Sequence, residues 1–204
     1  MDTLIEARRI ADYVLSRWAL PKQREELAQP VSANIAAILV DSVFQAGVNY
    51  RSVVFPRVCA VARAFPRLGS LGLMQQAMAS QSFWNAVAWK HPEKPQRLRE
   101  LVDFFCANSV DTIDELREWL RRAENRERLR SVRGVGPKTI DYLSRLVGLP
   151  AIAVDRHAQR LLRQVGVASK CYEHNRRVLE FAADLLQISR SLFDHLMWQN
   201  LAAV

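Results

Sequence analysis

Glycine is scarce in this chain, seven among 204 residues, and there is no internal repeat or low-complexity tract. With half of the residues hydrophobic and a quarter charged, that scarcity excludes collagen-like, linker-rich and disordered sequence. Cysteine is sparse too. Cys59, Cys106 and Cys171 are odd in number and widely spaced, so they form neither a disulfide framework nor a metal-ligand cluster. No apolar run approaches the ~20 residues of a membrane span. The opening stretch MDTLIEARRIADYV mixes acids and bases from the start and lacks the pattern of a secretory signal. These absences together predict a reduced, cytoplasmic protein without a membrane partner.

What is abundant is positive charge. Twenty-nine Lys and Arg stand against 21 Asp and Glu, a formal net charge of +8. An excess of cations favours a polyanionic partner, of which nucleic acid is the commonest, although a diffuse basic surface carries the same total.

The hydrophobic periodicity is helical almost throughout, and no segment alternates convincingly at period two, so the expected fold class is all-α. Leu4, Ile5, Ile10, Val14, Leu15 and Trp18 recur at helical spacing, and Pro21 ends that helix. Val31 to Ala46 is apolar on most faces, as a central buried helix would be, with Ser32 as its N-cap. Val53 to Phe65 reads as a helix disturbed near its start by Pro56. Shorter helical segments follow around Leu71–Ala79 and Phe83–Trp89, then a helix over Pro95–Cys106. Thr112-x-x-Glu115 is a capping box that opens Ile113–Arg122. Arg121 to Arg133 is the most polar stretch, either a solvated helix face with Glu–Arg pairs or a phosphate-facing strip.

The chemistry concentrates in Leu129 to Leu162. Gly134-Val135-Gly136-Pro137 lies between two helical segments, with Pro137 at a first helical position. A turn this tight favours glycine, and it leaves backbone N–H groups at a helix N-terminus, an anion site suited to a phosphate. An ordinary helix–turn–helix corner would look the same. Lys138 sits in the first helical turn, the wrong end of the dipole for a cation. That field and partial burial both disfavour its ammonium, and a neutral amine is a nucleophile toward carbonyl and glycosidic carbons. The plainer role for Lys138 is a cationic phosphate contact. Asp155 follows 17 positions later and precedes a helix, so it caps that helix. It can also supply a carboxylate to a cationic transition state or accept a proton.

The run Gly134-Val135-Gly136-Pro137-Lys138-Thr139, followed by Val154-Asp155-Arg156-His157, resembles the signature of the helix-hairpin-helix DNA glycosylase superfamily. That group includes endonuclease III, adenine-specific mismatch glycosylase, 8-oxoguanine DNA glycosylase and the alkyl-base glycosylases. The likeness is strong over about Leu129–Leu162 and diffuse from about Ser32 onward, where Gln45-Ala46 resembles a Gln-Ala pair after a buried helix. The resemblance implies two interlocked helical subdomains with a cleft between them. A multi-helix barrel over 30–148 would end in the hairpin motif at about 124–147, with 1–29 plus 149–204 forming the second subdomain. It also implies double-stranded DNA as partner, carrying a damaged or mismatched base or an abasic site, with the target nucleotide flipped out of the stack. A monomer is the family expectation, nucleoid-associated in a bacterium or archaeon.

Within that superfamily, lysine at the position of Lys138 marks members that are both glycosylase and apurinic/apyrimidinic lyase. Lys138 and Asp155 are the implied catalytic pair, with Gly134, Val135, Gly136 and Thr139 as phosphate-binding positions. Gln45, His157, Phe193 and Trp198 are secondary candidates for contacts to the DNA gap or the base. Gln45 is equally readable as a helix-end hydrogen-bonding residue. His157 suits packing or support better than catalysis, and core packing is the better reading of Phe193 and Trp198. No metal or redox cofactor is expected. Members like endonuclease III carry a four-cysteine iron–sulfur loop near the C-terminus, whereas Cys171 is the only cysteine in that region here. Ile140 stands where the family usually has a small residue, and Asp141 is placed to pair with Arg145 at i,i+4 rather than to approach Lys138 at i,i+3, which would hold the lysine charged and blunt its nucleophilicity. The competing functions are a non-catalytic hairpin DNA-binding or lesion-sensing protein and a monofunctional glycosylase that uses water.

Overall fold

A computed structural model describes residues 2–21, 32–168 and 171–201. The fold is all-α: twelve α-helices and one π-helical turn occur, and no strand is present among the described residues. Contacts divide the chain into two compact units, Met1–Ala28 with Pro150–Val204, and Gln29–Leu149.

The unit Gln29–Leu149 is built around α2 (Ile35–Phe44), every residue of which is buried. The sequence IAAILVDSVF explains why, since it offers solvent almost no polar face. The helix starts later than its apolar pattern suggests. Asn34, not Ser32, is the N-cap: its side chain accepts from the Ala37 amide at 3.0 Å, while Ser32 Oγ accepts from the Asn34 amide. The expected start at Val31 lies outside the described residues. Asn34 also donates to the Phe65 carbonyl at 2.6 Å, which ties the start of α2 to the end of α3 (Phe55–Ala64).

Pro56 does not disturb α3. It occupies the first turn, where an N–H would have no helical partner, and a π-helical turn over Tyr50–Val54 feeds straight into it. α4 (Leu71–Met78) and α6 (Glu93–Ala107) then pack on α2, while α5 (Gln81–Val87) packs on α3 and α4. Both halves of the predicted capping box form at the start of α7 (Ile113–Arg121). A short α8 (Ala123–Leu129) and the glycine turn lead into α9 (Pro137–Leu146), which packs on α2.

In the other unit, α1 (Asp2–Arg17) packs on α11 (Tyr172–Leu185) through small residues. Ala7, Ile10, Ala11 and Val14 face Val178, Leu179, Ala182 and Ala183 in one buried cluster. Leu4, Ile5 and Leu15, expected on the core face, are instead more than half exposed. The alanines, too small to dominate a hydrophobic pattern, let the helices approach closely and set which stripe turns inward. α10 (Arg156–Gln164) and α12 (Arg190–Leu201) complete the unit, with α12 packed on both α10 and α11.

The spacing that favoured an Asp141–Arg145 pair did not find the cross-helix partner. Asp141 is 1% exposed, and Arg126 of α8 donates to its carboxylate. Arg145 lies over the Tyr142 ring. Removing Arg126 withdraws a charged hydrogen bond from a buried carboxylate. Arg126→Ala is therefore expected to lower unfolding free energy by about 3 kcal/mol in urea titration. An exposed pair such as Arg8–Asp12 should contribute less than ~0.5 kcal/mol when broken.

Candidate active site

The site is assembled by three chain segments of the unit Gln29–Leu149: the end of α2, the start of α6, and the glycine turn with the start of α9. The turn itself is asymmetric. Gly134 has φ +76°, a backbone conformation that favours glycine, and a Cβ there would also force the Arg97 guanidinium to shift. Gly136 has φ −103° and ψ 179°, extended backbone open to any residue, and a Cβ there would meet nothing. No intramolecular contact accounts for glycine at position 136. Gly136 is the N-cap of α9 and brings no side chain to cap it, which leaves the helix entrance unobstructed. Val135, expected among the phosphate-binding positions, anchors the turn. Its side chain is buried and its amide donates to the Val132 carbonyl at 3.0 Å. Gly136 and Thr139 remain at the mouth, on either side of Lys138 and of Pro137, which has no N–H.

Lys138 is the second residue of α9. Its Nζ donates to Gln45 Oε1 at 2.8 Å, which joins two residues 93 positions apart that the sequence singled out separately. Gln45 is the C-cap of α2, with its amide bonded to the Asp41 carbonyl. The Gln45 Nε2 is buried and meets no acceptor among the described residues.

Lys94, which the sequence reading passed over, completes this corner. Its Nζ donates to the carbonyls of Phe44 at 2.8 Å and Ala46 at 2.6 Å, one on each side of Gln45. The ammonium also lies 4.6 Å from the centre of the Trp89 ring, which Arg57 shares from 5.4 Å. Burial, with the charges of Arg97 and Lys138, pushes Lys94 down to about 8. Arg97, one turn along α6 and against Gly134, has a buried Nε with no acceptor among the described residues.

One turn back along α2 lies a buried acid. Asp41 accepts from the Tyr50 and Tyr142 hydroxyls, both at 2.9 Å. Desolvation raises its carboxyl above the usual range, while the two hydroxyls and the charge of Arg145 pull it back. Burial and the Asp41 charge push both tyrosine hydroxyls upward in turn, so they remain donors at any ordinary pH.

The arginine-rich stretch is largely occupied within the protein. Arg121 pairs with Glu118, Arg126 with Asp141, Arg128 with Asn108, and Arg130 with Glu127. That favours the helix-face reading of those four over a continuous phosphate-facing strip.

The remaining candidates belong to the other unit. Asp155 is the N-cap of α10, and its Oδ1 accepts from the His157 and Ala158 amides at 2.8 and 3.0 Å. Both bonds fall on one oxygen. His157 is buried in the first turn of α10, and Arg156 Nε donates to its Nε2 at 3.3 Å. Phe193 is fully buried, with its ring 6.4 Å from that of Trp18. This is the core-packing alternative, and a base contact does not fit a ring with no exposed surface. Trp198 is half-buried and stacks on His195 at 6.2 Å.

Lys94 had a legible signal. Like Lys138 it is a lysine at the second position of its helix, where the dipole opposes a cation. Asp41, the lone acid in a largely apolar run, had one as well. Arg97 had none, because only the folded chain brings it to Gly134.

The two glycines should separate in a stability measurement. Gly134→Ala must hold an L-residue at positive φ and displace Arg97, and a loss of about 1–2 kcal/mol is expected by denaturant unfolding. Gly136→Ala should stay within ~0.5 kcal/mol of wild type.

No family model, no curated protein sequence and no solved structure matches this chain.

Proposed function

We propose that this protein is a bifunctional DNA glycosylase and apurinic/apyrimidinic lyase of base excision repair. The observation that carries the reading is the Lys138 amine, fixed 2.8 Å from Gln45 Oε1 at the entrance of α9. A first-turn lysine that donates to a neutral amide and feels the charge of Lys94 supports the nucleophile reading. The net charge of +8 supports a DNA partner, and the open Gly136 entrance supports contact with a phosphate.

In this reading the neutral Lys138 amine attacks C1′ of an extruded nucleotide. The bond from C1′ to the base breaks, and the base leaves with the electron pair and takes up a proton. Opening of the sugar ring at O4′ gives an imine between C1′ and Lys138. Loss of a C2′ proton then expels the 3′-phosphate oxygen, and water releases the unsaturated aldehyde and restores the amine. By the resemblance, Asp155 is the carboxylate assigned to stabilising the cationic sugar. No metal or redox cofactor takes part in these steps.

Borohydride reduction of the imine to a stable secondary amine tests this reading on a duplex with one abasic site. Wild type should give a covalent protein–DNA band, Lys138→Ala none, and Asp155→Asn a band at least tenfold weaker with duplex binding retained. A wild-type protein that binds the duplex without trapping overturns the lyase claim. Base release by Lys138→Ala would then mark a water-using glycosylase, and binding alone a hairpin DNA-binding protein. Gly136→Ala should weaken duplex binding about five- to tenfold, since a Cβ then intrudes where the phosphate approaches.

A further inference from the structure

Lys94 belongs to no motif that the sequence reading assigned, yet it forms the most constrained contact of the site. Its ammonium donates to the carbonyls of Phe44 and Ala46 at 2.8 and 2.6 Å. Those two peptides flank Gln45, whose Oε1 accepts from Lys138 at 2.8 Å. The last carbonyls of an α-helix have no partner within it, and α2 ends inside the protein, where water cannot serve them freely. A cation at this C-terminal end satisfies the carbonyls and complements the dipole. The order Lys94, peptide clamp, Gln45, Lys138 is a direct mechanical chain from α6 to the reactive amine.

We propose that Lys94 is a positioning residue for Lys138, fixing Gln45 through its two flanking carbonyls and setting the electrostatic field at the Lys138 amine. The inference rests on Lys138 being the nucleophile. Two consequences follow from the arrangement. First, the Gln45 side chain cannot swing with its own peptides, so the Lys138 amine is held at one place as the substrate arrives. Second, repulsion between two ammonium groups is mutual: a charged Lys94 opposes a second charge on Lys138 and favours the amine that chemistry needs.

Lys94 itself gives up its proton at about 8, because burial and the charges of Arg97 and Lys138 disfavour the ammonium. The charged groups facing it are Arg97 on the same helix, Lys138 on α9, and Arg57 of α3, which shares the Trp89 ring. α2 presents its terminal carbonyls and the neutral Gln45 amide, while its acid, Asp41, is held by Tyr50 and Tyr142. α4 meets α6 elsewhere, through Gln75 and Asp103. Near pH 8, therefore, the field at Lys138 changes as Lys94 discharges.

The sign of the effect decides the test. Imine trapping on the abasic-site duplex is followed from pH 6 to 10 for wild type, Lys94→Gln and Lys94→Arg. The arginine variant keeps its charge throughout, so its rising limb is steep and lies at lower pH. The glutamine variant never carries the charge, and its limb lies about half to one pH unit higher, the size of a like-charge interaction between partly solvated groups. Wild type follows the arginine variant below pH 8 and moves toward the glutamine variant above it, which gives a broadened limb. A second arm uses Gln45→Ala, which cuts the mechanical chain. Lys94→Gln then has at most half its single-variant effect on the trapping rate when made in the Gln45→Ala background.

Three superimposable pH profiles overturn the role of Lys94. So do rate effects of Lys94→Gln and Gln45→Ala that simply multiply. Thermal melts identify any variant that fails to fold. If one does, the other still decides, because the arginine variant must depart from wild type above pH 8 and the glutamine variant below it. A wild-type protein that never traps is a different result, the failure of the nucleophile assignment itself, and it is read from the wild-type lane alone.

Discussion

The seam between α2 and α9 is the constraint on which the site depends. α2 is buried on every side, and at two points on one face it carries a polar group that α9 must satisfy. Asp41 takes the Tyr142 hydroxyl and Gln45 takes the Lys138 amine. The partners run in opposite directions, four residues forward on α2 and four back on α9, so the two rungs lie about one helical turn apart. A slip of either helix by one residue would strand an acid and an amide in a hydrophobic interior. Register here is specified by the cost of unpaired polar groups, which far exceeds the small gain from any one bond.

That same seam holds the Lys138 amine in one place. The interior side of the ladder is closed by Asp41, Tyr50, Tyr142 and Arg145, all mutually engaged. Its outer rung is Lys138 and Gln45, beside the glycine turn. Rigid elements fix the amine from both directions: the first turn of α9 sets its backbone, and the end of α2 sets the amide it bonds. Gly134 does the structural work of the turn, while Gly136 leaves the entrance clear. Two glycines that look equivalent in sequence therefore answer to different demands, one internal and one directed at whatever approaches.

The concentration of cations around this corner has a stability cost that the fold carries. Lys94, Arg97 and Lys138 repel one another, and two of the neighbouring donors, Gln45 Nε2 and Arg97 Nε, lack acceptors among the described residues. Locally inconsistent electrostatics of this kind is expected where function rather than stability selects the residues. By contrast, the arginine-rich stretch beside the turn pairs off with Glu118, Glu127, Asn108 and buried Asp141, and there the charges serve the fold.

The sequence alone determined whatever depends on local periodicity and local capping. The helical content, the buried character of α2, the Thr112–Glu115 capping box, Pro137 at the start of α9 and Asp155 at the cap of α10 all involve residues within a few positions of one another. Where a pattern was locally ambiguous, it misled or fell short: Leu4, Ile5 and Leu15 fit the helical stripe of α1 but lie outward where alanines turn in, and no spacing within α9 points to Arg126 as a partner of Asp141. Only the tertiary structure decided which distant groups meet. Gln45 with Lys138, Lys94 with the carbonyls around Gln45, Asp41 with Tyr142 and Arg97 with Gly134 are separated by between 37 and 101 positions. Such pairings follow from how helices pack, and packing is settled by the whole core at once, so no window along the chain contains it.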